Sequence, residues 1–303
     1  MTDAFDSRFL REFLIIAQED SLRRAAARMN IAPSALSRKL AEVERSLGVA
    51  LLERSAQGIA LTDAGRLLRE HALTQQDEQT FLLEQLGRFR DTGGPPVRIV
   101  IGEGFAADLM ENGIARLALN HPGLRFRIDL AGTGEIQRRV AEGEADLGIA
   151  YSPASSAALR SVCWARQPLC AILPVDGPLA RQKRLGLADI LAGPVAMLDS
   201  RHAIRVLVAQ AAGDQGLALD PQIETSSIAA LIRYVSAGLG ATFLPRFSAA
   251  IQAARGELVI VDLDEECLQS VSAHLLVRAR RRLPASVALT AEQLARGMVA
   301  FRT

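Results

Sequence analysis

The segment Asn30–Gly48, NIAPSALSRKLAEVERSLG, decides the fold of the N-terminal region. Its apolar side chains recur every three or four residues, at Leu36, Leu40, Val43 and Leu47. This spacing predicts a helix with one buried face. Pro33 suits the first position of the helix, where its missing N–H breaks no hydrogen bond, and Gly48 suits the residue that ends it.

The opposite face of this helix differs from an ordinary exposed face, on which Glu and Lys are common. It carries small hydroxyl and basic side chains at Ser34, Ser37, Arg38, Lys39 and Arg45. Short side chains let a helix approach base edges in the major groove, and Arg or Lys can contact phosphate and guanine. The face is therefore typical of a DNA recognition helix, although an ordinary solvated helix would also satisfy the pattern.

The flanking residues predict the rest of a winged helix-turn-helix. Two helical patterns occupy residues 8–29; the first has an apolar stripe from Phe9 to Ala17, and the second has Ser21 as its N-cap. After Gly48, two short apolar runs surround SAQG, which predicts a β-hairpin. Helix, helix, turn, helix and hairpin within about 60 residues is the order of elements in a winged helix-turn-helix.

Thr62 and Asp63 begin a long helical segment that reaches about Asp91. One face of it is apolar at both ends and polar in the middle, and comprises Ala64, Leu68, Ala72, Gln75, Gln79, Leu82, Leu86 and Phe89. Such a helix could pack on its own domain. Because no nearby sequence would cover the whole face, we favour a two-stranded helical contact between protomers. The Gly- and Pro-rich stretch DTGGPPV, residues 91–97, then predicts a linker.

Strands and helices alternate beyond this linker. VRIVIG, LRFRIDLAG and ADLGIAY predict strands, and DLMENGIARLAL and EIQRRVAEGE predict helices between them. The alternation resumes after Pro168. This order predicts βαβ units and a mostly parallel sheet. Two α/β subdomains of this kind would form a cleft where strand ends and helix N-termini converge.

The candidate ligand-binding residues lie mainly at the predicted helix N-termini around that cleft, where free N–H groups attract anions. They are Gly104, Phe105, Ala106, Thr133, Ser200, Arg201, His202, Thr225, Ser226 and Phe243. Together with the arginine they indicate a small anionic ligand such as a carboxylate, although each hydroxyl could equally be a plain N-cap. Glu103 would repel an acid unless it pairs with Arg201.

Composition excludes little: 49% of residues are apolar, 23% are charged and the net charge is +1, so no partner follows from the total charge. Locally, five basic residues and no acid lie between Ser21 and Ala41, which predicts a basic patch. The N-terminus lacks a signal-peptide pattern, and the longest uncharged stretch, Leu147–Leu159, is too short to span a bilayer. We therefore expect a cytoplasmic protein without a membrane partner.

Neither catalysis nor a cofactor is expected. GxSxG, HExxH and Walker A motifs are absent, and the histidines are too scattered for a metal site. Three cysteines without CxxC spacing predict no disulfide framework. Cys163 and Cys170 flank the predicted crossover between subdomains, which leaves a thiol-based redox switch as an alternative, although Cys170 in the apolar run LCAIL is most simply a core residue.

The chain resembles the LysR-type transcriptional regulators over essentially its whole length. RAAARMNIAPSALSRKLAEVE, LGVALLER and LTDAG resemble the N-terminal domain of that family, and DLGIAY, PLCAILP and GLGATFLP resemble its effector-binding domain. The resemblance implies a winged helix-turn-helix over residues 1–61, a linker and dimerisation helix over 62–91, and an α/β effector domain of periplasmic-binding-protein type over 92–303. Subdomain I would span about 96–165 and 270–303, and subdomain II about 166–269.

The resemblance also implies a homodimer or homotetramer that binds an interrupted palindrome in promoter DNA and responds to a small effector in the cleft. RNA polymerase is a candidate further partner. By position, Pro33, Ser34, Ser37 and Arg38 would contact the major groove or its flanking phosphates, and Arg54 would anchor the wing on a phosphate. The sequence departs from the family at Ala32, where Ser is frequent, and at three positions that are often basic, Ala41, Gln57 and Ala60. Fewer cations predict weaker nonspecific binding to DNA.

Overall fold

A computed structural model describes residues 6–55, 58–87 and 94–302 of the 303-residue chain. The chain forms two compact units. The first contains the N-terminal region through Asp91 together with the short segment Arg281–Pro284, and the second contains Thr92–Arg280 and Ala285–Thr303.

The first unit follows the predicted order of elements. These are α1 (Ser7–Ile16), α2 (Leu22–Arg28), α3 (Pro33–Leu47), β1 (Leu52–Ser55), β2 (Gly58–Leu61) and α4 (Asp63–Gly87). β1 and β2 pair as an antiparallel hairpin, which confirms that prediction. Ser21 caps α2 by accepting the backbone N–H of Arg24, as expected. The predicted continuation of α4 toward Asp91, including Phe89, lies outside the described residues.

One apolar core holds the first unit together. Phe9, Phe13, Leu36 and Leu40 are each no more than 1% exposed and pack in it with the beginning of α4. Burying a side chain of this size stabilises a fold by about 1.5–3 kcal/mol, so these contacts fix α3 against α1. The spacing that predicted the buried face of α3 is therefore confirmed.

The second unit contains eleven further strands within the described range 94–302. They are β3 (Val97–Ile101), β4 (Phe126–Leu130), β5 (Leu147–Tyr151), β6 (Leu159–Arg166), β7 (Leu169–Leu173), β8 (Arg184–Leu185), β9 (Ala196–Leu198), β10 (Ile223–Thr225), β11 (Thr242–Pro245), β12 (Val259–Leu263) and β13 (Ser272–Arg278).

Helices cover these strands. They are α5 (Ala106–Asp108), α6 (Ala115–Asn120), α7 (Thr133–Ala141), α8 (Leu187–Leu191), α9 (Ala203–Asp214), α10 (Ile228–Ser236), α11 (Arg246–Ala254), α12 (Glu266–Gln269) and α13 (Ala285–Gly297). A 3₁₀ turn, Glu103–Phe105, precedes α5, and a wider π-helical turn, Leu109–Ile114, joins α5 to α6, so the helix predicted from DLMENGIARLAL is not uniform. None of the helices in the described part of the chain is long and apolar enough to cross a bilayer.

The strands form two main sheets of mixed direction. The first has the order β4-β3-β5-β13-β6, in which β3 is parallel to β4 and β5, whereas β13 is antiparallel to β5 and β6. The second has the order β11-β7-β12-β8 and is antiparallel around β7. The prediction of a mostly parallel sheet was wrong because a buried apolar run reveals burial on both faces and not the direction of the neighbouring strand.

Two connections join the sheets. Gln167 and Pro168 link β6 to β7, and the segment around α12 links β12 back to β13. The backbone N–H of Gln167 donates to the carbonyl oxygen of Val271 at 2.9 Å, so the two connections lie side by side. The space between the two sheets on this framework is the place where a cleft can form.

Candidate DNA-binding face and ligand cleft

The N-terminus of α3 has the geometry that its sequence predicted. Pro33 occupies the first turn, and Gly48 ends the helix with φ of 71°, in the left-handed region that favours glycine. Ser34, Arg38 and Arg45 are exposed, and Ser37 is half-buried. Within the described residues, neither Arg38 nor Arg45 has a hydrogen-bond or ion-pair partner, so both guanidiniums are available to an external anion.

The hairpin brings one more predicted residue to this face. Arg54 of β1 is exposed, and its Nη2 donates to Ser37 Oγ of α3 at 3.4 Å. Two residues that are 17 apart in the sequence therefore lie next to each other. Gln57, one of the departures from the family pattern, lies outside the described residues, whereas Ala60 is exposed on β2.

Local contacts hold the hairpin against the helices. Glu44 of α3 accepts the backbone N–H groups of Leu51 at 2.7 Å and Leu52 at 3.2 Å, which fixes the start of β1. Gly58 has φ of 125°, and a Cβ there would lie 2.4 Å from the carbonyl oxygen of Asp20. The hairpin is thus fixed to α3 through β1 and packs closely, through β2, against the segment between α1 and α2.

Lys39, a further predicted DNA-binding residue, is half-buried and paired within its own unit. Its Nζ pairs with Glu12 Oε2 at 2.7 Å and lies 5.8 Å from the centre of the Phe9 ring. The ammonium group therefore faces α1, because position 39 borders the buried seam of α3. The ion pair with Glu12 holds Lys39 toward α1, and a contact of this side chain with DNA stays a prediction.

The predicted basic patch is also smaller than the residue count suggests. Arg24 pairs with Asp20 at 2.8 Å, and Arg28 pairs with Glu19 at 3.3 Å. With Lys39, three of the five basic residues between Ser21 and Ala41 are neutralised by acids that precede that window. The positive charge offered by this unit is therefore concentrated at a few guanidiniums, of which Arg38 lies on α3.

A cleft lies between the two sheets of the second unit. Its empty space is about 440 Å³, part of which is open to solvent. It is lined mainly by apolar residues and by the ends of β3, β5 and β11: Gly102, Glu103, Gly104, Phe105, Ala131, Gly132, Thr133, Tyr151, Leu198, His202, Ala203, Ile204, Ile228, Pro245, Phe247 and Ser248.

Four of the ten predicted ligand-binding residues line this cleft, namely Gly104, Phe105, Thr133 and His202. The other six do not: Ala106, Ser200, Arg201, Thr225, Ser226 and Phe243. Ser200, Arg201 and Ser226 are exposed in turns before α9 and α10, and Ala106 follows the 3₁₀ turn on the way into α5. Thr225 Oγ1 accepts the Ser227 N–H at 3.1 Å, a local turn contact, and Phe243 is 1% exposed in the core of β11.

Glu103 belongs to the cleft lining and connects its two sides. Its Oε1 accepts the hydroxyl of Ser227 at 3.1 Å, and its Oε2 accepts the backbone N–H of Ile228 at 2.8 Å. Ser227 is the N-cap of α10, so the carboxylate occupies the N-terminus of that helix. A helix N-terminus carries about half a positive charge, which stabilises a carboxylate placed there.

Glu103 does not pair with Arg201, the one arrangement in which the sequence allowed it to tolerate an acidic ligand. Arg201 binds Asp199 through Nε at 3.1 Å and Nη2 at 2.7 Å, and its side chain is 76% exposed. The hydrogen-bonded Arg201 guanidinium holds the pKa of the Asp199 carboxyl well below its usual range. His202 Nδ1 lies 3.1 Å from the same carboxylate. Arg201 is therefore held by its neighbour and does not supply positive charge to the cleft lining.

Two glycines let the sides of the cleft approach each other. A Cβ on Gly104 would lie 2.9 Å from Ile228 Cδ1 and 3.0 Å from Ser248 Oγ, and a Cβ on Gly132 would lie 2.8 Å from the carbonyl oxygen of Arg201. Ser248 Oγ also donates to the Gly104 carbonyl at 3.3 Å. Direct contacts therefore hold the cleft nearly closed.

Sequence reasoning found Phe105 but missed Phe247 and Ser248 of the lining. The rings of Phe105 and Phe247, both in the lining of the cleft, stack with centroids 5.0 Å apart. Phe247 and Ser248 open α11 directly after β11, at PRFSAA. The sequence did contain a signal for them, namely a helix that begins directly after a strand. Helices of this kind begin at the edge of an α/β sheet where ligands bind.

The described residues offer little support for a redox or metal centre. Cys163 is half-buried on β6, Cys170 is buried on β7 with its Sγ 3.6 Å from Asp262 Oδ1, and Cys267 is exposed. Burial raises the pKa of the Cys163 thiol to about 11, and burial raises that of Cys170 to about 11 as well. No group of three His, Cys, Asp or Glu side chains in the described ranges could hold a metal ion.

Known proteins share this arrangement. Residues 7–66 match the family described as "Bacterial regulatory helix-turn-helix protein, lysR family", and residues 90–299 match "LysR substrate binding domain". An uncharacterized HTH-type transcriptional regulator of Mycobacterium tuberculosis is 31% identical over 261 residues, which cover 83% of this chain and 84% of that protein.

Two further proteins are similar to this chain, one in sequence and one in structure. The hydrogen peroxide-inducible genes activator of Pectobacterium carotovorum is 28% identical over 238 residues, covering 78% of this chain and 79% of its own. The solved structure of full-length OxyR C199D from Pseudomonas aeruginosa has a TM-score of 0.66 at 22% identity and covers 98% of this chain and 96% of its own. The structural likeness concerns the fold alone.

Proposed function

Because the chain belongs to the LysR family of bacterial transcriptional regulators, we propose that α3 and the β1–β2 hairpin bind promoter DNA in a sequence-specific manner. The observation that carries this proposal is the exposed Arg38 guanidinium, which has no partner within the described residues and shares its helix face with Ser34. Members of the family are regulators and not enzymes.

The proposed contacts follow from the geometry of the first unit. Residues at the N-terminus of a recognition helix reach base edges, and Pro33 and Ser34 are exposed there. Arg38 lies one turn further along and can bind guanine or phosphate. Arg54, adjacent to Ser37, would bind a backbone phosphate beside the same groove.

A small effector in the cleft of the second unit would modulate this binding. The cleft is lined by both sheets, so a ligand there touches both and can change the free energy of one arrangement relative to another. Allostery then means a coupling between occupancy of the cleft and the geometry of the DNA-binding units in an oligomer. The sequence-based prediction of a carboxylate effector rested on three helix N-termini together with Arg201, and Asp199 holds that arginine side chain.

The helix α4 supports the proposal of a homodimer or homotetramer. Leu68 and Ala72 of its predicted seam are buried within their own unit, whereas Leu82 and Leu86 are 56% and 48% exposed. The second half of the seam is thus available to another protomer. We further propose action in the cytoplasm, where promoter DNA and RNA polymerase are present.

A redox-sensing regulator is the second candidate, and the name of the Pectobacterium carotovorum relative favours it. The chemistry of Cys163 and Cys170 opposes it. The thiolate is the reactive form of cysteine, and a pKa of about 11 leaves roughly one thiol in ten thousand ionised at pH 7. We therefore prefer the effector-binding function.

The experiment uses DNA that the full-length protein selects from a random library. Arg38→Ala should lower affinity for the selected sequence at least roughly tenfold, the effect of losing a bidentate base contact. Arg181→Ala, an exposed arginine of the second unit without a partner in the described structure, is the matched control and should bind normally. Unchanged affinity of Arg38→Ala with a normal thermal transition would refute the assignment of α3.

A further inference from the structure

We propose that the cleft binds a small molecule with an apolar body and a positively charged amino group, and that Glu103 receives this group. The inference rests on the proposed function, since it names the chemical class of the effector. It follows from four features of the lining, as far as the structure describes it: the position of Glu103, the direction of the hydroxyl groups, the absence of lysine and arginine, and the apolar surface around them.

The place where an anion would bind is already taken. The N-terminus of α10 presents its donors to Glu103, which accepts both the Ser227 hydroxyl and the Ile228 N–H. An anionic ligand would have to displace this carboxylate or lie beside it, where the two negative charges repel. Coulomb repulsion between two like charges a few ångströms apart disfavours both arrangements.

Glu103 retains the capacity to bind a donor. A carboxylate offers about four lone-pair positions to hydrogen-bond donors. The contacts with Ser227 and Ile228 account for one on each oxygen. The remaining positions can accept from the N–H groups of an ammonium, and hydrogen bonds between charged partners are stronger than those between neutral groups.

The hydroxyl groups of the lining are also acceptors toward a ligand. Thr133 Oγ1 contacts the Tyr151 carbonyl at 3.2 Å, and Ser248 Oγ contacts the Gly104 carbonyl at 3.3 Å. A carbonyl oxygen can only accept, so each hydroxyl must use its hydrogen in that contact. What each offers to a bound molecule is a lone pair, which requires a donor on the ligand.

No lysine or arginine lines the cleft in the described part of the chain. The nearest predicted candidate, Arg201, is bound by both oxygens of Asp199 and is largely exposed. The histidine of the lining, His202, has its Nδ1 3.1 Å from Asp199 Oδ1. A carboxylate ligand would therefore find no lysine or arginine there, whereas an ammonium would find a counter-ion in Glu103. Around this single carboxylate the stacked Phe105 and Phe247 rings, with Ile204 and Ile228, form an apolar wall that fits a hydrocarbon body.

The test measures binding of matched probes to the full-length protein by calorimetry and thermal shift. The probes share a carbon skeleton and differ in charge: benzylamine, benzyl alcohol and benzoate, with butylamine and butyrate as an aliphatic pair. We expect the amines to raise the melting temperature and the acids not to. Glu103→Gln keeps the shape of the side chain and should raise the dissociation constant for benzylamine at least roughly tenfold, the effect of losing one hydrogen bond to a charged group.

Glu111→Gln is the matched control, because it removes the same charge from an exposed position outside the lining and should leave the dissociation constant unchanged. Tighter binding of benzoate or butyrate would overturn the amine proposal and leave a ligand-responsive regulator intact. Failure of every amine to bind, or equal binding by Glu103→Gln, would also overturn it. Loss of sequence-specific DNA binding is measured separately and would bear on the proposed function instead.

Discussion

The carboxylate of Glu103 accepts the backbone N–H of Ile228 at 2.8 Å, although the two residues are 125 positions apart. The Glu103 side chain, which follows β3, thus caps the N-terminus of α10. Glu103→Ala should leave the donors of Ser227 and Ile228 without their acceptor and lower the free energy of unfolding by about 1–3 kcal/mol. Urea unfolding of the full-length protein measures this. Glu103→Gln retains one acceptor oxygen and should lower the free energy of unfolding by less. An equal decrease in both variants would show that the negative charge, and not the hydrogen bonds, stabilises this contact.

Two glycines two positions apart should respond in opposite directions. A Cβ on Gly132 would meet the Arg201 carbonyl oxygen at 2.8 Å, so Gly132→Ala should destabilise the second unit by about 1–3 kcal/mol. Gly134 of α7 has nothing within 4 Å of an added Cβ, so Gly134→Ala should be neutral or stabilising by up to about 1 kcal/mol, as expected for alanine in a helix. Melting temperatures of the two variants test this, and a stabilised Gly132→Ala would contradict the close approach.

Arg54 should contribute charge rather than sequence preference. If it binds one phosphate, Arg54→Ala lowers the slope of log affinity against log salt by about 0.9 and weakens all DNA sequences alike. Titrations on selected and unrelated DNA at several salt concentrations measure both effects. Arg181→Ala should leave the slope unchanged. A loss confined to the selected sequence would mean that Arg54 reads bases.

The exposed end of the α4 seam should govern assembly. Leu82→Glu places a charge on a leucine that is 56% exposed within its own protomer, so the fold of the unit should survive while contact with a second copy is disfavoured. Sedimentation or light scattering should show a shift toward monomer. Leu67→Glu, at a leucine that is 73% exposed on the same helix but outside the predicted seam, provides the comparison. An unchanged mass for Leu82→Glu would place the protomer contact elsewhere.

The Cys163 thiol should react slowly at neutral pH. Burial favours the neutral form and raises its pKa to about 11, so ionisation grows as pH rises toward that value. In a Cys267→Ser background, which removes the exposed thiol, the alkylation rate at Cys163 should increase about tenfold per pH unit between pH 7 and pH 10. Rapid modification at pH 7 would revive the redox alternative.

The parts of the structure that depend on neighbouring residues were predictable. The spacing of Leu36 and Leu40, with Pro33 before them and Gly48 after, defined α3 because helix formation and capping are local. The Asp199–Arg201 pair is equally local, since DSR places the acid two residues before the arginine. The pairing of Arg201 with Asp199 could therefore have been predicted from the sequence.

Long-range partners were not predictable from pattern. Lys39 and Glu12 are 27 residues apart, and nothing in either segment indicates their pairing. The same holds for Glu103, whose partners are supplied by a helix of the other sheet. The relative direction of the strands could not be predicted for a similar reason, because an apolar run such as LGIAY is compatible with a parallel or an antiparallel neighbour.

The two connections between the sheets, tied by the Gln167 to Val271 hydrogen bond, act mechanically as a single hinge. Adjacent, bonded crossings resist sliding and twisting but permit bending about the line on which they lie. Bending about that line is therefore the relative movement of the two sheets that these connections oppose least. A molecule that contacts both sides of the cleft would act on this bending angle.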